Sequence, residues 1–151
     1  MPYDNRLVVE VEKSPSPWSF YLSGKELSKS RRRAEQWIVP TLNRLIPSEC
    51  AKRVLCVGCG NAVDVAVLRE FGFDSWGADI DANCHPAARS WFVAADACVL
   101  PFDAGSFDAV ISLEVVEHIG APPGEWKPTA HARARRKQYA AELARVLRLG
   151  G

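Results

Sequence analysis

Glycine and aspartate residues stand directly after short apolar runs of the sequence. Gly58 and Gly60 follow the first run, and glycine lets the backbone come close to a ligand where a Cβ atom would clash. Asp79 ends the second run, 19 residues after Gly60, a distance at which an acid can accept hydrogen bonds from both hydroxyls of a ribose. Asp96 follows the third run, where it could accept from an adenine amino group or be a solvated loop acid. Together these residues indicate a site for a nucleoside-containing ligand.

A fourth apolar run, from Phe107 to Leu113, is followed by Glu114, Glu117 and His118. Histidine exchanges protons near neutral pH, so His118 is the candidate for a general base. An equally good interpretation is that His118 caps or packs beneath the loop. We interpret Glu117 as a solvated helix acid.

Acidic residues are concentrated in the middle of a chain that is nearly neutral overall. The 151 residues carry a formal net charge of +1, yet residues 54–118 hold ten acidic residues and two basic ones. Phosphate and nucleic acid are bound by lysine and arginine, so this distribution disfavours them and favours a ligand with positive charge. Val63 also stands where a dinucleotide fingerprint needs its third glycine. A nicotinamide-dependent oxidoreductase is therefore the weaker alternative.

The apolar runs alternate with helical patterns, which is typical of a parallel sheet with helices on both faces. Right-handed crossovers bring the carboxyl ends of such strands to one edge, where ligands bind beside the first strand. We therefore predict an α/β, Rossmann-like doubly wound fold. The predicted strands are 54–57, 73–78, 91–94 and 107–113. Three predicted helices begin near Gly24, Asn61 and Pro86, and a fourth spans 131–149.

The remaining composition indicates a cytoplasmic protein without a metal site. Five cysteines, an odd number, and an N-terminus without an export signal suit a reducing compartment, and no apolar run approaches the roughly 20 residues of a membrane span. Cys56 and Cys59 form a C-x-x-C pair, but the first belongs to a buried strand, so we predict no zinc. We also predict a strand over 6–13 and an aromatic segment from Trp18 to Tyr21 that covers the ligand or packs on the core.

Four segments together resemble the class I S-adenosylmethionine-dependent methyltransferases. They are VLCVGCGNAVD at 54–64, WGADID at 76–81, FVAADACVLPFDAGSFDAVISLEVVEHI at 92–119 and ELARVLRLGG at 142–151. The likeness is nearest to the group that includes the ubiquinone and menaquinone biosynthesis methyltransferases. It covers residues 52–119 densely, and four segments in the right order make it specific.

The resemblance implies a site for S-adenosylmethionine at the strand ends and methyl transfer to a small-molecule acceptor, with S-adenosylhomocysteine as the product. The cofactor residues that it implies are Val57, Gly58, Cys59 and Gly60 beside the methionine moiety, Asp79 and Ile80 at the ribose, Asp96 and Ala97 at the adenine, and Leu113 and Glu114 near the sulfonium. The methyl group is already activated on sulfur, so the protein mainly supplies alignment and desolvation. His118 would act only where the acceptor must lose a proton.

Two residues depart from the pattern of the resembled family. The family usually carries an acid where this chain has Cys56, and that acid helps to hold the methionyl ammonium. Asp64 or Glu114 could partly substitute for it. The family often has glycine where this chain has Ala62. The non-enzymatic alternative is therefore a protein that binds the cofactor without catalysis or serves as a scaffold.

The resembled fold has seven strands in the order 3-2-1-4-5-7-6, and the sequence supplies four of them. We expect a cofactor domain over 52–151, preceded by an N-terminal segment over 1–51 that could cap the substrate. With strands 5, 7 and 6 missing, strand four would be an apolar edge open to pairing. We therefore expect either a fragment of a protein of about 200–250 residues, or self-association or a partner that covers strand four.

Overall fold

Four short apolar segments pair side by side into one parallel sheet. The computed structural model describes residues 24–46, 52–120 and 129–149. The strands are β1 (Arg53–Val57), β2 (Asp74–Asp79), β3 (Phe92–Ala94) and β4 (Ala109–Ile111). They lie in the order β3-β2-β1-β4, and each pairing in this sheet is parallel. The predicted Rossmann-like α/β fold and its 3-2-1-4 strand order are confirmed.

Helices cover both faces of the sheet. The helices are α1 (Gly24–Arg33), α2 (Val39–Leu45), α3 (Val63–Glu70) and α4 (Ala130–Val146). A π-helical turn (Ala34–Ile38) joins α1 to α2, and a 3-10 helix (Pro86–Trp91) precedes β3. Within the described residues the predicted strands and helices are present, but β4 covers only the centre of the predicted run 107–113, and β2 is shifted one residue later than predicted.

Successive residues of β1 point to opposite faces of the sheet and belong to two separate cores. Val54 and Cys56 pack with apolar residues of α3 and of the N-terminal helices on one face. Leu55 and Val57 pack on the other face with residues that include Tyr139 of α4. All four side chains are almost completely buried, as expected for a central strand between two covered faces. The carboxyl end of β1 is therefore held firmly from both sides.

The fully buried residues of the N-terminal helices are spaced at multiples of four: Ser30, Ala34, Leu42 and Ile46. Leu27, Ile38 and Val39 are partly buried against the same core. In a regular α-helix a period of four drifts by about 40° per step, and the π-helical turn, in which Val39 N–H donates to Ala34 O, offsets that drift. The sequence periodicity also predicts Trp37 and Leu45 on the buried face, which is wrong, because their side chains are 71% and 65% exposed.

Helix α4 ends at Val146, three residues before the predicted end at 149, because Leu147 pairs with Phe107 instead. The backbone of Leu147 is extended, with a ψ of 141°, and forms a parallel bridge to Phe107. Phe107 N–H donates to Val146 O at 3.0 Å, and Arg148 N–H donates to Phe107 O at 2.9 Å. The segment that leads into β4 thus has a neighbour on its outer side, where the sequence predicts an open edge.

Two acids of the acidic middle hold the amino edge of the sheet together. Asp108 is 9% exposed, accepts a hydrogen bond from Arg53 N–H at 2.7 Å and pairs with Arg148 at 2.5 Å. Asp74 pairs with the side chains of Arg53 at 3.0 Å and Arg69 at 2.9 Å. These acids lie at the opposite end of the strands from the glycine loop, so they take no part in a site there.

Some predictions concern residues outside the described ranges. They are the strand over 6–13, the aromatic segment from Trp18 to Tyr21 and most of a loop that the sequence predicts over 120–129, of which residues 121–128 lie outside. The division of the chain between residues 51 and 52 stays a prediction. Within the described ranges, no helix has the combined length and apolar character that crossing a bilayer requires.

Candidate functional site

The glycine loop after β1 and the aspartate that ends β2 meet at the carboxyl edge of the sheet. Gly60 N–H donates to Asp79 Oδ2 at 2.7 Å, and Asp81 N–H donates to Asp79 Oδ1 at 2.9 Å. Gly58 N–H donates to Ala78 O at 2.8 Å, so the loop leaves β1 alongside β2. The parallel topology thus joins two features that the sequence separates by 19 residues.

Glycine is required at position 58 by both its conformation and its surroundings. Gly58 has a φ of +67°, and a Cβ atom there would lie 2.3 Å from Val115 Cγ2. Gly60 has a φ of +54°, but a Cβ atom there would meet nothing within 4 Å. The space beside Gly60 is therefore open to a ligand. Ala62, where the resembled family often has glycine, is also left-handed, with a φ of 58°.

A small, open cavity lies beside the glycine loop. Its walls come from the ends of β1 and β4, from α3 and from the π-helical turn, and they comprise Ile38, Cys56, Val57, Gly58, Cys59, Asp64, Ile111 and Leu113. Four of the predicted cofactor residues, Val57, Gly58, Cys59 and Leu113, therefore share one cavity. The resemblance assigns these four to the methionine and sulfonium end of the ligand.

The chain that leaves β4 carries three of the predicted site residues. Leu113 lines the cavity and is 51% exposed. Glu114 is exposed and has a φ of 55°, which is uncommon for glutamate and marks a local constraint. His118 is exposed in the following turn, where its backbone N–H donates to Val115 O at 2.9 Å. His118 is not part of the cavity wall, and its role as a general base stays a prediction.

The carboxylate of Asp96 is held by two donors. Its Oδ1 accepts from Cys98 N–H at 2.8 Å, and its Oδ2 pairs with Arg135 of α4. The hydrogen bond from the Cys98 backbone, aided by Arg135, lowers the pKa of Asp96 below its ordinary range. Ala97, which follows Asp96, is half-buried, and Ile80, which follows Asp79, is 80% exposed. The predicted contacts of Asp96, Ala97 and Ile80 with a ligand stay predictions.

Burial keeps the two cysteines of the cavity in the neutral thiol form. Desolvation, with a smaller contribution from the charge of Asp64, raises the pKa of Cys56 to about 12. Burial also raises the pKa of Cys59. Both thiols are free, and the described residues contain no cluster of three or more histidine, cysteine or acidic side chains that could hold a metal ion.

Asp64 connects the N-terminal helices to the cavity. Ser30 Oγ donates to its Oδ1, and Arg33 Nη2 donates to its Oδ2 at 2.5 Å. Ser30 is buried, while the side chain of Asp64 remains 22% exposed. The sequence offers no local signal for these contacts, because the partners lie more than 30 residues apart. The sequence does show that Cys56 stands where the resembled family has an acid, and this suggests that a nearby acid such as Asp64 takes its place.

The sequence from residue 55 to residue 151 matches the methyltransferase domain family. The chain belongs to that family. The matched residues of this methyltransferase domain include the glycine loop, Asp79, Asp96 and the whole of α4. No curated protein matches the sequence significantly.

Solved structures share the fold of this methyltransferase domain. The PH0226 protein from Pyrococcus horikoshii OT3 superimposes with a TM-score of 0.63 at 22% identity, covering 89% of this chain and 55% of its own. The sugar N-methyltransferase KedS8 from Streptoalloteichus sp ATCC 53650 gives a TM-score of 0.60 at 19% identity, with 100% and 57% coverage. A structure of the Haloferax volcanii Trm112 methyltransferase activator in complex with a methyltransferase gives 0.58 at 21% identity, with 92% and 59% coverage. The chain spans little more than half the length of each.

Family membership confirms the resemblance to methyltransferases. It also favours a methyltransferase over a nicotinamide-dependent oxidoreductase. The nearer likeness to the ubiquinone and menaquinone group stays a prediction. At these identities the solved structures support the fold alone.

Proposed function

We propose that this methyltransferase domain binds S-adenosylmethionine at the carboxyl edge of its sheet and transfers the methyl group to a small-molecule acceptor. The observation that carries the proposal is the 2.7 Å hydrogen bond that joins Gly60 of the glycine loop to the Asp79 carboxylate. It sets an open stretch of backbone directly beside an acid. Membership of the methyltransferase domain family supports the same ligand.

The residues at this edge fit the chemistry of the cofactor. Asp79 accepts one backbone hydrogen bond on each oxygen, and each oxygen has a further lone pair for a ribose hydroxyl. S-adenosylmethionine carries a sulfonium and an ammonium but no phosphate. The described wall of the cavity has one charged side chain, the carboxylate of Asp64, and no basic one.

Each predicted cofactor residue has a place in the proposed complex. Val57, Gly58, Cys59 and Leu113 would enclose the methionine moiety, Glu114 would lie beside the sulfonium, Asp79 and Ile80 would meet the ribose, and Asp96 and Ala97 the adenine. The carboxylate of Asp96 has lone pairs left after its bonds to Cys98 and Arg135, so it can still accept from an amino group.

The protein contributes mainly positioning to the reaction. When bound, S-adenosylmethionine supplies a methyl group that is activated on sulfur and open to displacement by a nucleophilic atom of the acceptor. Gly58 and Leu113, which line the cavity, would help to align the reacting centre with that atom. His118, exposed after β4, would accept a proton where the acceptor must lose one.

Calorimetry with S-adenosylmethionine, S-adenosylhomocysteine and NAD tests the proposal. We expect both adenosyl ligands to bind and NAD not to. Asp79→Ala should weaken S-adenosylhomocysteine at least about tenfold, since each lost charge-assisted hydrogen bond is worth roughly 1.5–3 kcal/mol. Asp103→Ala, which removes an exposed acid in the turn before β4, is the matched control and should bind as the wild type does.

Three results would contradict different parts of the proposal. Tight binding of NAD and of neither adenosyl ligand would exclude the cofactor. Unchanged affinity in Asp79→Ala, with an unchanged circular dichroism spectrum, would exclude the ribose assignment. Binding without methyl transfer to any member of an acceptor panel would favour the non-catalytic alternative.

The proposal includes a cytoplasmic location and a contact at the edge of β4. Five cysteines suit a reducing compartment. Leu147 covers the start of the strand-four segment at Phe107, and the outer side of Ala109–Ile111 pairs with no strand among the described residues. A second copy or a partner strand could pair there, and light scattering after size exclusion would report the oligomeric state.

A further inference from the structure

The cavity beside the glycine loop lacks an acid where the resembled family has one. Cys56 occupies that position, and its burial keeps the thiol protonated and neutral. Cys59 is neutral for the same reason. Among the described wall residues, negative charge therefore comes from Asp64 alone.

Asp64 reaches the same cavity from a different element. Cys56 belongs to β1 and Asp64 to the first turn of α3, and both residues line the cavity. The charge of Asp64 is close enough to Cys56 to raise the pKa of its thiol. A carboxylate on α3 can therefore act on the space in which an acid on β1 would act.

The carboxylate of Asp64 is held in a fixed orientation. Ser30 Oγ binds one oxygen and Arg33 Nη2 the other, and Ser30 is itself buried. Each oxygen accepts one of these bonds and has a second lone pair available. With 22% of its side chain exposed, Asp64 remains accessible to a donor in the cavity.

We propose that Asp64 receives the α-ammonium group of the methionine moiety of S-adenosylmethionine, in place of the acid that the family carries at position 56. This inference rests on the proposed function and concerns the same site. It assigns to Ser30 and Arg33 the part of positioning residues, which hold the carboxylate and do not touch the ligand. The N-terminal helices thereby contribute to cofactor recognition through Asp64.

A purely structural role for Asp64 would consist of tying α1 to α3 through Ser30 and Arg33. The two roles differ in their dependence on the ligand. A structural tie affects every adenosyl ligand alike, whereas an ammonium contact affects only ligands that carry the ammonium. The deaminated analogue of S-adenosylhomocysteine, in which hydrogen replaces the amino group, separates them.

The experiment measures the dissociation constants of S-adenosylhomocysteine and its deaminated analogue by calorimetry. We expect Asp64→Asn to weaken S-adenosylhomocysteine about tenfold or more, as for the loss of one charge-assisted hydrogen bond, and to leave the deaminated analogue within about twofold. Cys56→Asp in the Asp64→Asn background should restore most of the lost affinity, because it returns the acid to the position that the family uses. Asp103→Asn is the matched control.

The outcomes distinguish failure of the inference from failure of the proposed function. Unchanged binding of S-adenosylhomocysteine by Asp64→Asn, or an equal loss for both ligands, would overturn the inference and leave the proposed function standing. The inference would also be overturned if the wild type bound both ligands equally well. A wild-type chain that binds neither would overturn the proposed function and the inference with it.

Discussion

Replacing Gly58 with alanine is expected to destabilise the domain by about 3 kcal/mol. Two separate terms contribute. The φ of +67° costs an L-residue roughly 1–2 kcal/mol. The new Cβ atom would also lie 2.3 Å from Val115 Cγ2, and relieving such an overlap in a packed site costs typically about 1–3 kcal/mol. A gain of roughly 0.4–1 kcal/mol from the stiffer unfolded chain reduces the total.

Gly60 provides a control in which only the first term operates. Its φ is +54°, but a Cβ atom would meet nothing within 4 Å. Gly60→Ala should therefore cost only about 1 kcal/mol. Val115→Ala removes the two methyl groups that a Cβ atom at position 58 would approach to 2.3 and 3.0 Å. In the Val115→Ala background, the cost of Gly58→Ala should fall by about 2 kcal/mol, to the value found for Gly60→Ala.

Urea unfolding followed by far-ultraviolet circular dichroism, without ligand, measures the free energies of unfolding of the wild type, the three single variants and the double variant. The reasoning is refuted if Gly58→Ala costs no more than Gly60→Ala. It is also refuted if the cost of Gly58→Ala is the same with valine and with alanine at position 115, since the clash would then contribute nothing.

Two further predictions concern single side chains. The hydrogen bond from Arg145 lowers the pKa of Glu142 below its ordinary 4.5, so the ionised carboxylate stabilises the folded state above that pH and this contribution is lost as the pH falls. The urea midpoint of the wild type should therefore fall more steeply between pH 6 and about 3.5 than that of Glu142→Gln. Parallel curves for the two proteins would contradict this prediction. Because burial raises the pKa of Cys56 to about 12, iodoacetamide at pH 8 should leave Cys56 unlabelled in the folded chain and label it in urea. Peptide mass spectrometry measures the labelling, and equal rates with and without urea would exclude a buried thiol.

The sheet and the positions of its strand ends could be predicted from the sequence. Apolar runs such as Val54–Val57 are short and spaced by helical segments, and parallel topology leaves few ways to arrange them. The junction of Gly60 with Asp79 follows directly, because neighbouring parallel strands end at one edge. These features depend on local patterns that are visible within a few residues.

Features that depend on distant contacts could not be predicted. The helical periodicity of α4 continues through Leu147, but the pairing of that residue with Phe107 overrides it. The contact of Arg135 with Asp96 joins residues 39 apart, and that of Ser30 with Asp64 joins residues 34 apart. No local pattern encodes such pairs, since only the folded chain brings them together.

The π-helical turn makes the length of the N-terminal helix as important as its composition. Ser30 and Arg33, which hold Asp64, precede the turn, whereas Ile38, which forms part of the cavity wall, is its last residue. If every residue of the turn were kept but its geometry became that of a regular α-helix, the extra residue would rotate one half against the other by about 100°. Either the grip on Asp64 or the wall at Ile38 would then be lost, although no side chain of either had been altered. The single extra residue of this turn therefore acts as a spacer that sets the phase between two functional surfaces of one helix.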